Sequence, residues 1–390
     1  MRRRWFNTPL MGGASILVGL AIGLSVPAMA SSVPSRAVVH HDDGPGGSSH
    51  MRHVFVIMME NTSYKDLLNP SNSNTTYIQS IASTYGLATN YSGVTHTSLP
   101  NYVAVTSGST WGSNADDEAQ ADKGYFNHRS LFDQLSQEGV SWRGYMESMP
   151  SAGYTGNYGS CTNPAPDPEC SSSLTGTALY VRKHNPFMQY PDIFNNPSAA
   201  SNVVPLSQLT HDLNSGRVAD FNWITPNICN DMHGGAPSCP YPNTPTDANQ
   251  MALYQDGNNF LHTWVTAIMR SRAWTRNSAI FITWDEGGYG DNSPYGPLDN
   301  TGCCDSPVLP ATPANPTTGG GGDLVGGTLY AGGHVPMIVI ARNAARGLTD
   351  SAQLNHYSLL QTIEQNWGLS FLGNASDTIQ VQSLAPLLKH

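Results

Sequence analysis

The stretch Ala279-Ile280-Phe281-Ile282-Thr283-Trp284-Asp285-Glu286-Gly287-Gly288 is an apolar run that ends on two adjacent carboxylates and a glycine pair. A run this apolar, rich in β-branched and aromatic residues, predicts a strand buried on both faces, as in a parallel sheet. Its last side chains then emerge at the carboxyl edge of the sheet, where open α/β folds bind their ligands. Two neighbouring carboxylates at that edge repel one another unless a cation or a proton compensates. The rest of such a site has to come from elsewhere in the chain.

His53-Val54-Phe55-Val56-Ile57-Met58-Met59 repeats the pattern and ends on Glu60 and Asn61. In Ser98-Leu99-Pro100-Asn101-Tyr102, Pro100 suits the first turn of a helix, because its missing N–H has no use there. Ser98 then sits at or just before a helix start, facing free backbone N–H groups and the positive end of the dipole. Around these pieces the sequence predicts helices near 76–85, 128–138, 246–272 (capped by Thr246 or Asp247) and 355–367. Further strands are predicted at 140–146, 221–226 and 335–340. Strands alternating with helices imply an α/β fold, a mostly parallel central sheet with helices on both faces. Residues 148–178 and 287–333 carry Gly, Pro and Asn without any period, and read as a surface insertion and a long loop beside the site.

The chain has 390 residues, of which only 12% are charged, and a formal net charge of −10. It carries no basic nucleic-acid footprint. Arg2-Arg3-Arg4, an apolar run from Leu10 to Val26 and Ala28-Met29-Ala30 form a signal peptide over 1–30, with a loose twin-arginine pattern at Arg3-Arg4. A Pro/Gly/Ser/His leader occupies 31–51 and a single domain 52–390; no later stretch is long and apolar enough to span a membrane. The expected location is therefore extracytoplasmic. Six cysteines, an even number in polar segments without C-x-x-C spacing, argue for disulfides over zinc. Cys161/Cys170 and Cys229/Cys239 are the natural local loops, although 15 pairings are open. The run Asp116-Asp117-Glu118 reads as a solvated loop.

Glu60, Asn61, Ser98, Asp231, His233, Asp285, Glu286 and His334 collect at predicted strand and helix ends. The set is oxygen-rich and suits Ca²⁺, Mg²⁺ or Mn²⁺, while its imidazoles leave room for Zn²⁺. A serine beside such a cation loses its proton more readily, and the cation neutralises charge on a phosphoryl oxygen.

The ordered motifs Met59-Glu60-Asn61, Ser98-Leu99-Pro100-Asn101, Asn230-Asp231-Met232-His233, Trp284-Asp285-Glu286-Gly287 and Gly333-His334-Val335-Pro336 resemble those of the phosphoesterase family. That family comprises acid phosphatases and non-specific phospholipases C of the alkaline-phosphatase-like superfamily. The resemblance implies one catalytic domain over 52–390, with Glu60, Asn61, Ser98, Asp285 and Glu286 as ligands of a divalent metal ion. It makes Ser98 the nucleophile, with a phosphoseryl intermediate, and gives His233 and His334 the phosphate or the leaving oxygen. His96, Asn101 and Asp231 are further candidate substrate contacts. Two positions depart from the phospholipase-like pattern: Tyr102 stands for an Arg, and Gly333 for an Asp. Both favour an acid phosphatase acting on small phosphomonoesters. A phospholipase C and a non-catalytic metal- or phosphate-binding protein are the alternatives, and oligomeric state is left open.

Overall fold

A computed structural model describes residues 50–159, 178–242, 247–275, 277–288, 299–307 and 330–389. Ten strands are present among the described residues: β1 (His53–Met59), β2 (Gly86–Ala88), β3 (Tyr91–Ser92), β4 (Trp142–Met146), β5 (Val203–Pro205), β6 (Phe221–Thr225), β7 (Ser278–Trp284), β8 (Met337–Ala341), β9 (Thr349–Asp350) and β10 (Leu354–Asn355). Eight form one sheet in the order β5-β4-β6-β1-β7-β8-β2-β9, while β3 and β10 pair separately. From β5 across to β7 every pairing is parallel.

Every residue of β1 and β7 is buried. Successive side chains of a strand point to opposite faces, so both faces of the sheet centre are covered. The helices that cover them pack in two groups. Ser98–Ser107 touches His356–Trp367 and Leu131–Gln137, and Ala248–Arg270 touches Thr76–Thr84 and Ser207–Ser215. Their ends follow local chemistry. Asp247 caps the Ala248 helix by accepting from the Gln250 N–H, Ser130 and Asp133 form a capping box, and Asn355 caps the last helix.

The predicted strands and helices appear within a few residues of their expected bounds. The return strand starts at Met337, after Pro336, which has no N–H to give to a ladder. It runs antiparallel to both β7 and β2. The segment joining β7 to β8 begins and ends at the carboxyl edge, so the chain re-enters the sheet from that edge and must run backwards. The strands β2, β3, β5, β9 and β10 are two or three residues long, too short to show a period, and the sequence did not reveal them. The signal peptide, most of the leader, Cys161 and Cys170 lie outside the described residues. Cys229 and Cys239 are bonded as expected, whereas Cys303 and Cys304 bond to each other. No helix among the described residues is long and apolar enough to cross a membrane.

Candidate active site

β1 and β7 are neighbours at the centre of the sheet, with Met59 opposite Trp284. That register places Glu60 and Asp285 side by side as the two strands end. The Asp285 N–H donates to Met59 O at 3.0 Å, and the Asn61 N–H donates to Asp285 Oδ1 at 3.0 Å. Asn61 turns the chain with φ of 42°, a left-handed conformation that Asn tolerates better than most residues. With its NH₂ turned toward them, the Asn61 amide reaches Glu60 Oε2 (3.1 Å) and Glu286 Oε1 (3.2 Å). Ser98 is the first residue of its helix, and its hydroxyl donates to Glu60 Oε2 at 2.9 Å. Four carboxyls converge here, Glu60, Asp231, Asp285 and Glu286, none more than 1% exposed.

Imidazoles surround them. His96 pairs through Nδ1 with Glu286 Oε2, and its Nε2 donates to Asp299 O at 3.1 Å. His184 donates from Nδ1 to Asp231 Oδ2 at 3.1 Å, which leaves the Nε2 lone pair facing Glu60 Oε1 at 3.2 Å. The Asp231 carboxylate also accepts the His233 N–H at 2.7 Å, so one acid orients two histidines. His233 donates from Nδ1 to Gly234 O, and its Nε2 lies 3.3 Å from Lys183 Nζ. Lys183 is paired with Asp116 Oδ2 at 2.7 Å, and Asp116 Oδ1 accepts the Leu99 N–H in the first turn of the Ser98 helix. Glu118 accepts the Lys183 N–H. Asp116 and Glu118 therefore anchor a buried lysine, and of the acidic run only Asp117 is exposed as its sequence suggested.

Burial sets the protonation of the cluster. It pushes the Asp285 carboxyl up to about 8, with Glu286 adding to the rise. Glu60 is raised well above the usual carboxylate range by burial, then by Asp285 and Asp231. Burial lowers His184 well below its ordinary value, helped by Lys183 and His233, and takes His233 down to about 3. Burial also opposes the charges on Lys183 and His96, but Asp116 holds the ammonium charged and Glu286 raises the imidazole. Tyr102 is held protonated by burial and by Glu60, Asp285 and Asp231; its ring stacks on His184.

The donor set fits a metal ion. Glu60, His184 and His233 offer ligand atoms within 4.8 Å of one another. Glu60 Oε1 and His184 Nε2 are close but not aligned as a hydrogen bond, and Asp285 Oδ2 is likewise buried without a hydrogen-bond partner. Buried polar atoms left unbonded cost free energy that a shared cation would remove. Imidazole nitrogen and carboxylate oxygen together make a mixed donor set for a divalent ion.

Of the predicted residues, Glu60, Asn61, Ser98, Asp285 and Glu286 come together, and Asp231, His233 and His96 border them. Two are occupied otherwise. Asn101 has its whole amide committed to the preceding loop, accepting from Val94 and Thr95 N–H and donating to Thr95 O and Thr97 O. It holds the turn before Ser98. His334 donates from Nε2 to Thr89 O and stacks on Tyr64 at 4.3 Å, while its N–H donates to Asp299 Oδ2. Through Asp299 it braces His96. Gly333 has φ of 77°, and a Cβ there would lie 2.9 Å from Asp299 O, so a side chain at this position would strain the backbone. Lys183, His184, Asp116 and Asp299 were not singled out as site residues, although Lys183 is one of only four lysines in the chain.

The sequence profile of the phosphoesterase family matches residues 69–370. An acid phosphatase of Aspergillus fumigatus is 25% identical over 320 residues, which make up 82% of this chain and 55% of that protein. The chain thus spans little more than half the length of this fungal relative. The phosphatidylinositol-3-phosphatase of Mycobacterium tuberculosis is 23% identical over 325 residues, covering 83% of this chain and 80% of its own. Among solved structures, a protein in the alkaline phosphatase superfamily from Vibrio parahaemolyticus superposes with a TM-score of 0.44 at 11% identity, covering 88% of this chain and 70% of that one.

Proposed function

The chain belongs to the phosphoesterase family, and from that premise we propose that it is an exported, metal-dependent hydrolase of phosphomonoesters with Ser98 as nucleophile. The observation that carries the reading is the Ser98 hydroxyl at the head of a helix, donating at 2.9 Å to a carboxylate of a four-acid cluster. Glu60, Asn61, Asp285 and Glu286, with Ser98 and His184, would hold the cation. Bound there, a divalent ion supplies Lewis-acid stabilisation of phosphoryl oxygen and eases ionisation of the serine.

Ser98 Oγ attacks phosphorus and gives its proton toward Glu60 Oε2, the atom that already accepts its hydrogen bond. The ester P–O bond breaks, and the leaving oxygen takes a proton from the Lys183–His233 side, where an ammonium faces Nε2 at 3.3 Å. Water then hydrolyses the phosphoserine, returning the hydroxyl and releasing phosphate. Asp231 fixes the imidazoles and Asn101 the turn, so Ser98 meets the phosphate with little left to order. Export is supported by the amino-terminal pattern and by the Cys229–Cys239 bond.

Assays on p-nitrophenyl phosphate and p-nitrophenylphosphorylcholine separate this reading from a phospholipase C. Turnover of the first is expected, and turnover of the second alone would overturn the assignment. Phosphate trapped on Ser98 and absent from Ser98→Ala distinguishes catalysis from mere binding.

A further inference from the structure

The opposite edge of the sheet carries the reverse charge. Arg52 immediately precedes β1, Arg217 lies before β6, and Arg270 and Arg272 lie before β7. Because β8 runs antiparallel, Arg342 leaves the sheet at this same edge, and Arg346 leads into β9. All six are exposed. The backbone ties two of them to the start of β7: Arg52 N donates to Asn277 O, and Arg342 N to Ser278 O. In a chain with a net charge of −10 this concentration needs an account.

It has a focus. Arg342 and Arg346 border a cavity of about 500 Å³ with Tyr85, Met269, Trp274 and Asn343. Arg346 lies over the Tyr85 ring at 4.1 Å, which fixes its guanidinium without neutralising it. Among the described residues neither Arg342 nor Arg346 forms an ion pair, in contrast to Arg143 and Arg182. Trp274, at 7% exposure, forms a recessed wall rather than a protruding anchor, so the feature is a pocket and not a membrane-inserting surface. β7 alone separates this edge from Asp285 by about 20 Å at the usual rise per residue, so no small ligand bridges the two.

We propose that this cavity is a second anion site, which takes a phosphoryl group between Arg342 and Arg346. Two guanidinium groups lining one cavity suit the oxygens of a phosphate dianion, and the Met269–Trp274 side accepts an organic substituent if the group carries one. The site is independent of the catalytic reading, since it uses none of those residues.

Equilibrium dialysis with radiolabelled inorganic phosphate, and in a second arm with phenylphosphonate, which cannot be hydrolysed, tests it. The wild-type protein is expected to bind one equivalent more than R342Q/R346Q, or the extra site to weaken at least about tenfold in the variant. Preference for phenylphosphonate at that site marks an organic phosphoryl ligand, and equal binding marks the bare anion. Both positions are exposed, so circular dichroism should show an unchanged fold. Equal stoichiometry and affinity in variant and wild type would overturn the proposal, whatever the outcome of the Ser98 experiments.

Discussion

The two edges of the sheet spend charge in opposite ways. At the carboxyl edge four acids are fully buried, their carboxyls raised by burial and by one another. At the amino edge six arginines stand in solvent. Solvated charges cost little and individually contribute little, whereas buried like charges are expensive and persist only where something else compensates them. A cluster of buried acids therefore signals a ligand by its cost. The arginines signal one only where two of them border a recess and, among the described residues, form no ion pair.

The largest effect should come from the hydroxyl. Ser98→Ala is expected to lower kcat on p-nitrophenyl phosphate by about 10³-fold or more, with bound metal largely retained. Stoichiometric metal together with wild-type turnover would remove Ser98 from the chemistry.

Asp285→Asn sharpens the cost argument, because its two expected effects oppose each other. Metal content by elemental analysis and activity should fall together. Metal-free stability should rise, and the sign follows from the shift. The folded carboxyl titrates near 8 and the unfolded one near 3.8, so the folded state holds the extra proton. Wild-type apoprotein then loses stability as pH climbs from about 4 to 8, and Asn removes that loss. At pH 8 the apo variant should melt a few degrees above apo wild type, while added cation should rescue only the wild type. A lower apo Tm at pH 8 would show that Asp285 is not a strained acid awaiting a cation.

Lys183→Met leaves Asp116 facing an apolar side chain. The side chains are 6% and 22% exposed, so breaking the pair should cost on the order of 3 kcal/mol in urea unfolding. Adding Asp116→Asn should recover part of that loss; strictly additive costs would mean that the two groups are not coupled.

The sequence displayed the acidic edge far better than its supports. β1 and β7 announced themselves as continuous apolar runs, and Glu60, Asn61, Asp285 and Glu286 followed from where those runs stop. Ser98 followed from Pro100 two residues on. Lys183 and His184 follow an aperiodic insertion, where local pattern says nothing about which strand end the chain will cross. Asp116 looked solvated because its partner lies 67 residues away. Asn101 and His334 both lie beside the cluster, and their side-chain hydrogen bonds go to backbone, a distinction that residue type cannot carry. The Arg342 side of the arginine edge was equally hidden, since that residue joins the others only once β8 is known to run backwards.

The smallest expected effect tests whether the two edges act on each other. R342Q/R346Q removes two exposed positive charges about 20 Å from Asp285 by strand length. At physiological ionic strength the Debye length is about 8 Å, so those charges are screened before they reach the catalytic cluster. kcat should be unchanged and kcat/KM on p-nitrophenyl phosphate should stay within about twofold of wild type. At low salt the variant, more negative overall, should capture an anionic substrate somewhat more slowly, and the difference should fade as salt is added. A loss that persists at high salt would mean that the amino edge reaches the catalytic cluster through the packed strands β1 and β7 rather than through solvent.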